Sequence, residues 1–142
     1  HNHEEKNYEI EIYYREILLG TLDLKVENGY GFAITDGDII DFGDLFPGDI
    51  KQAVTTIEVF NPLQAKIKVK LDPSSKNEMY LEKESGIDTN IKIPIKDIQV
   101  TALKGSGRNT SSFKMSATAV TNSDTKTGNY NGELEVVITI IP

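Results

Sequence analysis

The stretch GNYNGELEVVITIIP, Gly128 to Pro142, gives the strongest indication of the fold in this sequence. Its second half consists almost entirely of β-branched and other apolar residues, which are enriched in strands. A long apolar strand is a template for pairing with another chain unless a neighbouring strand covers its edge. The stretch therefore predicts either a central strand of a sheet or a strand whose partner comes from another molecule.

Alternation of apolar and polar residues predicts further strands along most of the chain. In AKIKVKL, Ala65 to Leu71, Ile67 and Val69 would face one way and the three lysines the other. The segments TLDLKV, TTIEVF, IKIPIKDIQV and SFKMSATAV repeat the pattern, and glycine and proline turn signals separate them. We expect an all-β protein: an antiparallel immunoglobulin-like β-sandwich of about 7–9 strands, open to completion by a donated strand.

Composition excludes several classes of function. The 142 residues carry a net charge of −7, which argues against binding of nucleic acid, because that requires clustered lysine and arginine. There is no apolar run of about 18 residues, so we expect no membrane span. The first residue is His1 rather than Met, so we expect any signal peptide to have been removed already.

Residues for catalysis are scarce. Cysteine is absent, and the only histidines, His1 and His3, lie at the end of the chain. A nucleophile activated by a neighbouring base is therefore not expected, and we predict neither an enzyme nor a cofactor. The run DGDIIDFGD offers candidate calcium ligands in Asp36, Asp38 and Asp41, but its spacing is not that of an EF-hand loop and aspartate also forms turns. We expect no metal site.

Several stretches resemble the donor-strand pilin subunits of chaperone–usher fimbriae, in their disulfide-free class. IIDFGDLFPGD, Ile39 to Asp49, resembles the turn after their first strand, and AVTTIEVFNPLQAKIKVKL the hairpin that follows it. GNYNGELEVVITI resembles their terminal strand, and the alternating N-terminal run resembles their donor extension. A second resemblance, through GTLDLKVENG and LFPGD, is to the camelysin-type biofilm matrix fibre proteins.

Both resemblances imply a structural subunit of an extracellular bacterial surface fibre that assembles by strand donation and supports adhesion or biofilm formation. The implied partners are identical or related fibre subunits, a periplasmic chaperone and an outer-membrane usher. The implied organisation is an N-terminal extension, residues 1–19, followed by a sandwich domain, residues 20–142. A monomeric adhesin or ligand-binding sandwich, closed within one chain, is the alternative.

Strand donation requires a donor with apolar residues at every second position and an acceptor groove beside an incomplete sheet. The expected donor residues are Tyr8, Ile10, Ile12 and Tyr14, and Leu22, Leu24 and Val26 form a second set of the same period. The expected acceptor groove is lined by Leu134, Val136, Ile138 and Ile140 of the terminal strand.

Overall fold

The computed structural model describes residues 18–26, 31–72, 79–83, 92–104 and 107–142, which form strands and the loops that join them. The described strands are β1 (Leu18–Val26), β2 (Ala33–Asp36), β3 (Ile39–Leu45), β4 (Ile50–Phe60), β5 (Ile67–Leu71), β6 (Met79–Lys83), β7 (Lys92–Ala102), β8 (Thr110–Val120) and β9 (Gly128–Ile140). Within these ranges there is no helix, and hence none that could cross a membrane.

The strands form one strongly curled sheet around a single core. Their order is β2-β4-β8-β7-β6-β9-β1-β3, and β5 pairs with β9 beside β6. Because β2 and β3 lie at opposite ends of this order yet are consecutive in the chain, the sheet must fold back on itself. The expected all-β, sandwich-like fold is confirmed.

The pairing of β1 with β9 departs from the antiparallel expectation. The two strands run parallel, in register from Leu18 opposite Gly128 to Val26 opposite Val136. The other described strand pairs are antiparallel. A parallel neighbour for the last strand cannot come from a tight hairpin, since parallel strands need a long connection. Here the connection is the whole of the chain between them.

The predicted alternation of faces is confirmed in the core. Ile67 and Val69 of β5 are buried, while Lys66, Lys68 and Lys70 are exposed. On the long antiparallel pair β4–β8, Ile57 lies opposite Phe113 and Ala53 opposite Ala117, and all of these side chains face inward. Burial of apolar side chains from every layer of the curled sheet supplies the main stabilising term, at about 25 cal/mol per Å².

Gly37 and Asp38 carry the chain from β2 to β3, that is, from one end of the strand order to the other. Gly37 has φ of +76°, and a Cβ there would lie 1.9 Å from the carbonyl oxygen of Thr56. The crossing is held by two hydrogen bonds: Thr55 Oγ1 donates to the Gly37 carbonyl at 3.0 Å, and the Leu24 amide donates to the Asp38 carbonyl at 2.8 Å. Only glycine fits this close approach of two backbones.

The first described strand begins inside the expected N-terminal extension. β1 begins at Leu18, and the Leu18 side chain is fully buried. The last two residues of the expected extension, Leu18 and Leu19, are therefore part of a core strand. Residues 1–17 lie outside the described part of the chain.

Candidate functional site

The terminal strand β9 has neighbours on both sides. Along one side β1 pairs with it from Gly128 to Val136. Along the other side β6 pairs at Tyr130 and Asn131, and β5 pairs from Val136 to Ile140. The strand that the sequence predicted to be either central or incomplete is therefore central, and β1 occupies the position where a donated strand was expected.

Three of the four expected groove residues lie together in the core. Leu134, Val136 and Ile138 have no exposed surface. Ile140 differs, because it is the last residue of β9, paired with the first residue of β5, and its side chain is 54% exposed. Of the expected groove residues, Leu134, Val136 and Ile138 therefore share one buried side of β9.

The apolar side of β1 fills this groove. Leu18 and Leu22 are fully buried and Leu24 is 4% exposed. In the register, Leu24 lies beside Leu134 and Val26 beside Val136. The second apolar set found in the sequence, Leu22, Leu24 and Val26, thus lies along the groove wall. The other set, Tyr8, Ile10, Ile12 and Tyr14, falls in residues 1–17, outside the described residues.

Two glycines shape the contact between β1 and β9. Gly132 lies beside Leu22, and a Cβ on Gly132 would come within 2.8 Å of the Tyr80 carbonyl oxygen and 2.9 Å of Leu81 Cδ2. Gly20 lies beside Tyr130, and a Cβ on Gly20 would come within 3.0 Å of Leu81 Cδ1. Each glycine makes room for a large side chain on the other strand or on β6. This complementarity gives the glycine at position 132, two residues after Tyr130, a structural reason.

Tyr130 anchors the start of β9. Tyr130 is only 1% exposed, and its hydroxyl donates to the Lys126 carbonyl oxygen at 2.6 Å. Burial raises the pKa of Tyr130 above its ordinary value, because the phenolate would lose its hydration. The side chain thus combines a large apolar contact with a satisfied polar tip.

Asn131 fastens β1 to β9 on the outer side of the sheet. Its Nδ2 donates to Thr21 Oγ1 at 3.0 Å and lies 3.3 Å from Asp23 Oδ2. These bonds join side chains 110 and 108 positions apart in the chain, so they report the register of the two strands directly. From the sequence, Asn131-Gly132 is a turn signal, but both residues lie within β9, so that prediction is wrong. The contacts of Asn131, Gly20 and Gly132 depend on which strand lies beside β9, and alternation in the sequence does not give that.

The aspartates of DGDIIDFGD are exposed, and two of their carboxylates accept hydrogen bonds from backbone amides. Asp36 Oδ1 accepts from the Gly37 amide at 2.9 Å, and Asp41 Oδ1 accepts from the Gly43 amide at 2.8 Å. Among the described residues, no three acidic or histidine side chains come together in a way that could hold a metal ion. Asp38 contributes only its backbone carbonyl, to the bond from Leu24.

Comparison with protein families identifies the class of protein. The family model of the fimbrial adhesin MrpH C-terminal domain matches residues 34–141, which is well over half of the chain. The chain belongs to the MrpH C-terminal fimbrial adhesin domain family. A search of curated proteins gives no match. The fimbrial expectation is thereby confirmed at the level of a fimbrial adhesin domain.

Membership of the MrpH C-terminal domain family indicates a role in fimbrial adhesion and a location on a cell-surface fibre. The family is structural and adhesive rather than enzymatic. Its matched region begins at Ile34, inside β2, and ends just after β9. The strand β1, which fills the groove beside β9, therefore precedes the matched region.

Proposed function

We propose that this chain is a structural subunit of a surface fibre in which β1 passes between neighbouring copies and fills the groove beside β9 of the next subunit. The observation that carries the proposal is that the strand in this groove lies at the N-terminal side of the family domain. Only the six residues between Val26 and Ala33 join it to that domain. A strand on the N-terminal side of a domain, joined to it by a short connection, is an element that copies can exchange without new contacts.

The contacts of β1 are large enough to hold subunits together. Leu18, Leu22 and Leu24 are buried in the groove, which corresponds to about 5–9 kcal/mol at 1.5–3 kcal/mol per side chain before ordering costs. The parallel ladder from Leu18 to Val26 adds main-chain hydrogen bonds. This combination of backbone pairing and alternate side chains in a groove is how an added strand gains both affinity and specificity.

The shape of the groove favours β1 over the segment Tyr8–Tyr14 as the exchanged strand. The position beside Tyr130 is taken by Gly20, where a Cβ would already press on Leu81. Tyr8, Ile10, Ile12 and Tyr14 alternate without a glycine, so that segment would place a large side chain at this position. We therefore propose β1 as the donor, and keep the Tyr8–Tyr14 segment as the competing donor.

Disulfide trapping tests whether β1 crosses between copies. The natural chain has no cysteine, and Lys25 of β1 lies opposite Glu135 of β9, both exposed on the outer side of the sheet. A Lys25→Cys chain is mixed with a Glu135→Cys chain carrying a different mass tag, unfolded, refolded together and oxidised. Random exchange in an equimolar mixture gives a disulfide between the two differently tagged chains for up to about half of the Lys25→Cys chains, because the other half meet a groove of their own kind. The matched control pairs Lys25→Cys with Lys114→Cys, which lies on β8.

A variant that carries both Lys25→Cys and Glu135→Cys decides between the proposal and the alternative. If its disulfide forms only within one chain, and the mixed pair gives no more product than the Lys114 control, β1 closes its own groove. The closed single chain then favours the second candidate, a monomeric adhesion module. That candidate draws its support from the observation that β1 and β9 pair within one chain.

A further inference from the structure

The outer side of β5 carries an unneutralised row of positive charge. Lys66, Lys68 and Lys70 are exposed, and we call these three residues the lysine edge. β5 pairs with β9 and with no other described strand, so the lysines lie at a border of the sheet. Between described residues the one ion pair is Lys92 with Glu82, at 3.7 Å, which leaves the lysine edge without a carboxylate partner.

Lys68 and Lys70 lie close enough for their positive charges to repel each other. The pKa of Lys70 is lowered, first through a hydrogen bond with Lys68 and then through Coulombic repulsion from the same side chain. Like charges at alternate positions of a strand are unfavourable, and an incoming negative group would relieve the repulsion. The edge is therefore suited to an acidic partner.

An exposed acidic row lies across the same part of the sheet. In the run β5-β9-β1-β3, the strand at the far border from β5 is β3. Asp41 and Asp44 of β3 are exposed, and so are Asp38 just before β3 and Asp36 at the end of β2; we call these four residues the acidic edge. Beside the acidic edge, Lys51 Nζ donates to the Asp44 backbone carbonyl at 3.2 Å rather than to a carboxylate.

We propose that the lysine edge of one copy binds the acidic edge of a second copy, giving a lateral contact between subunits. Two lysine edges would repel each other, as would two acidic edges, so the charges select the unlike pairing. Because the two edges are different surfaces of the subunit, the contact is heterologous, and it repeats from copy to copy into a row that is either open or closed into a ring. It involves neither the buried side of β1 nor its groove, so it stands apart from the strand exchange proposed above.

A charge-swap experiment on the full chain tests this contact. Lys68→Glu with Lys70→Glu reverses the lysine edge, and Asp38→Lys with Asp44→Lys reverses the acidic edge. Asp38 and Asp44 are chosen because, among the described residues, their backbone carbonyls and not their carboxylates accept hydrogen bonds. A third variant, the four-fold variant, carries all four substitutions and so regains the natural net charge. The matched control, Lys104→Glu with Lys114→Glu, changes net charge as the first variant does but alters two exposed lysines elsewhere.

Self-association is measured by sedimentation velocity across a concentration series, at low salt and in 1 M NaCl (a Debye length of about 3 Å). Each single-edge variant should dissociate about tenfold more readily than the natural chain, since several exposed pairs at 0.2–1 kcal/mol each are replaced by repulsion. The four-fold variant should regain the natural affinity, as should an equimolar mixture of the two single-edge variants. The Lys104/Lys114 control should match the natural chain.

The effect of salt on self-association tests the lateral contact independently of the substitutions. A chain of net charge −7 repels its copies on average, and salt would weaken that repulsion and strengthen any unspecific association. The lateral contact should instead weaken in salt, while strand exchange, which rests on buried leucines and backbone pairing, should persist. A disulfide-trapping failure with intact charge-swap behaviour would overturn strand exchange alone.

Three results would overturn the lateral contact. One is a lysine-edge variant that associates as the control does, and another is a four-fold variant that fails to regain affinity. The third is a natural chain that stays monomeric in low salt at its highest soluble concentration. If the lysine-edge variant associates normally but loses binding to alginate, used as a polyanion probe, the partner of the lysine edge is an acidic polysaccharide and not a second copy.

Discussion

Leu22 of β1 packs over Gly132 of β9, with its Cδ1 3.4 Å from the position that a Cβ on residue 132 would take. The two residues are direct partners in the parallel register. A missing side chain on one strand thus receives a branched side chain from the other, which fixes both the spacing and the register of the pair. A strand without a large apolar residue at this position would leave a cavity, and cavities in a core are costly.

The first prediction is that Gly132→Ala destabilises the fold by about 1–3 kcal/mol, the usual cost of overpacking. The added Cβ would meet the Tyr80 carbonyl at 2.8 Å, and backbone cannot yield as easily as a side-chain tip. Chemical denaturation measures the change in free energy of unfolding. Gly107→Ala is the control, because a Cβ there has nothing within 4 Å, and equal losses for the two variants would contradict the close packing of β1 on β9.

The crossing from β2 to β3 gives a second prediction. Gly37→Ala should destabilise the fold by at least about 3 kcal/mol, because it combines a positive φ with a collision against the Thr56 carbonyl oxygen. Gly48→Ala separates the two causes. Gly48 also has a positive φ, +93°, but a Cβ there has open space, so its loss should stay near 1 kcal/mol. A loss at Gly37 no larger than at Gly48 in thermal or urea unfolding would mean that the crossing can relax.

The faces of the strands could be predicted from sequence because alternation maps directly onto the two sides of a sheet. Ile67 and Val69, or Phe113 and Met115, needed no other information. The partners of each strand could not be predicted in the same way, since a period of two does not say which strand lies alongside. The parallel placement of β1 beside β9 is of this second kind.

Alternation predicts which residues of β9 are buried, but not which strand lies beside them. Leu134, Val136 and Ile138 follow from alternation on a strongly apolar strand, and their burial is complete. Ile140 continues the same alternation but is 54% exposed, because the ladder with β5 ends at that residue. Asn131 was missed because its bonds to Thr21 and Asp23 depend on which strand lies beside β9.

The third prediction uses the buried hydroxyl of Tyr130. Its pKa in the folded chain is raised above the ordinary value of 10.0, so between the unfolded and folded pKa values the unfolded chain loses the proton first. The stability from this group is therefore present below about pH 10 and falls as the pH rises above it. Tyr130→Phe should remove this part of the alkaline loss and cost about 0.5–1.5 kcal/mol at pH 7 for the bond to the Lys126 carbonyl.

Urea midpoints of the natural chain and of Tyr130→Phe, compared from pH 7 to pH 11, check this prediction. Tyr80→Phe is the control, because the Tyr80 side chain is only half-buried. Parallel stability curves for the natural chain and Tyr130→Phe above pH 10 would mean that Tyr130 ionises no differently in the two states.

The fourth prediction concerns two threonine hydroxyls with opposite surroundings. Thr139 Oγ1 is buried and has no hydrogen-bond partner among the described residues, whereas Thr121 Oγ1 lies 2.9 Å from the carbonyl oxygens of both Phe46 and Asp49.

Valine has nearly the shape of threonine without the polar atom. Thr139→Val should therefore leave stability unchanged or raise it by up to about 1 kcal/mol, since an unsatisfied group is removed. Thr121→Val should lower stability by about 0.5–1.5 kcal/mol, because it removes the hydroxyl hydrogen bond, although both carbonyls keep a backbone amide donor. Urea unfolding of both variants measures the difference. A loss at Thr139 as large as at Thr121 would show that the Thr139 hydroxyl has a partner, which would place another polar group against the outer side of β9.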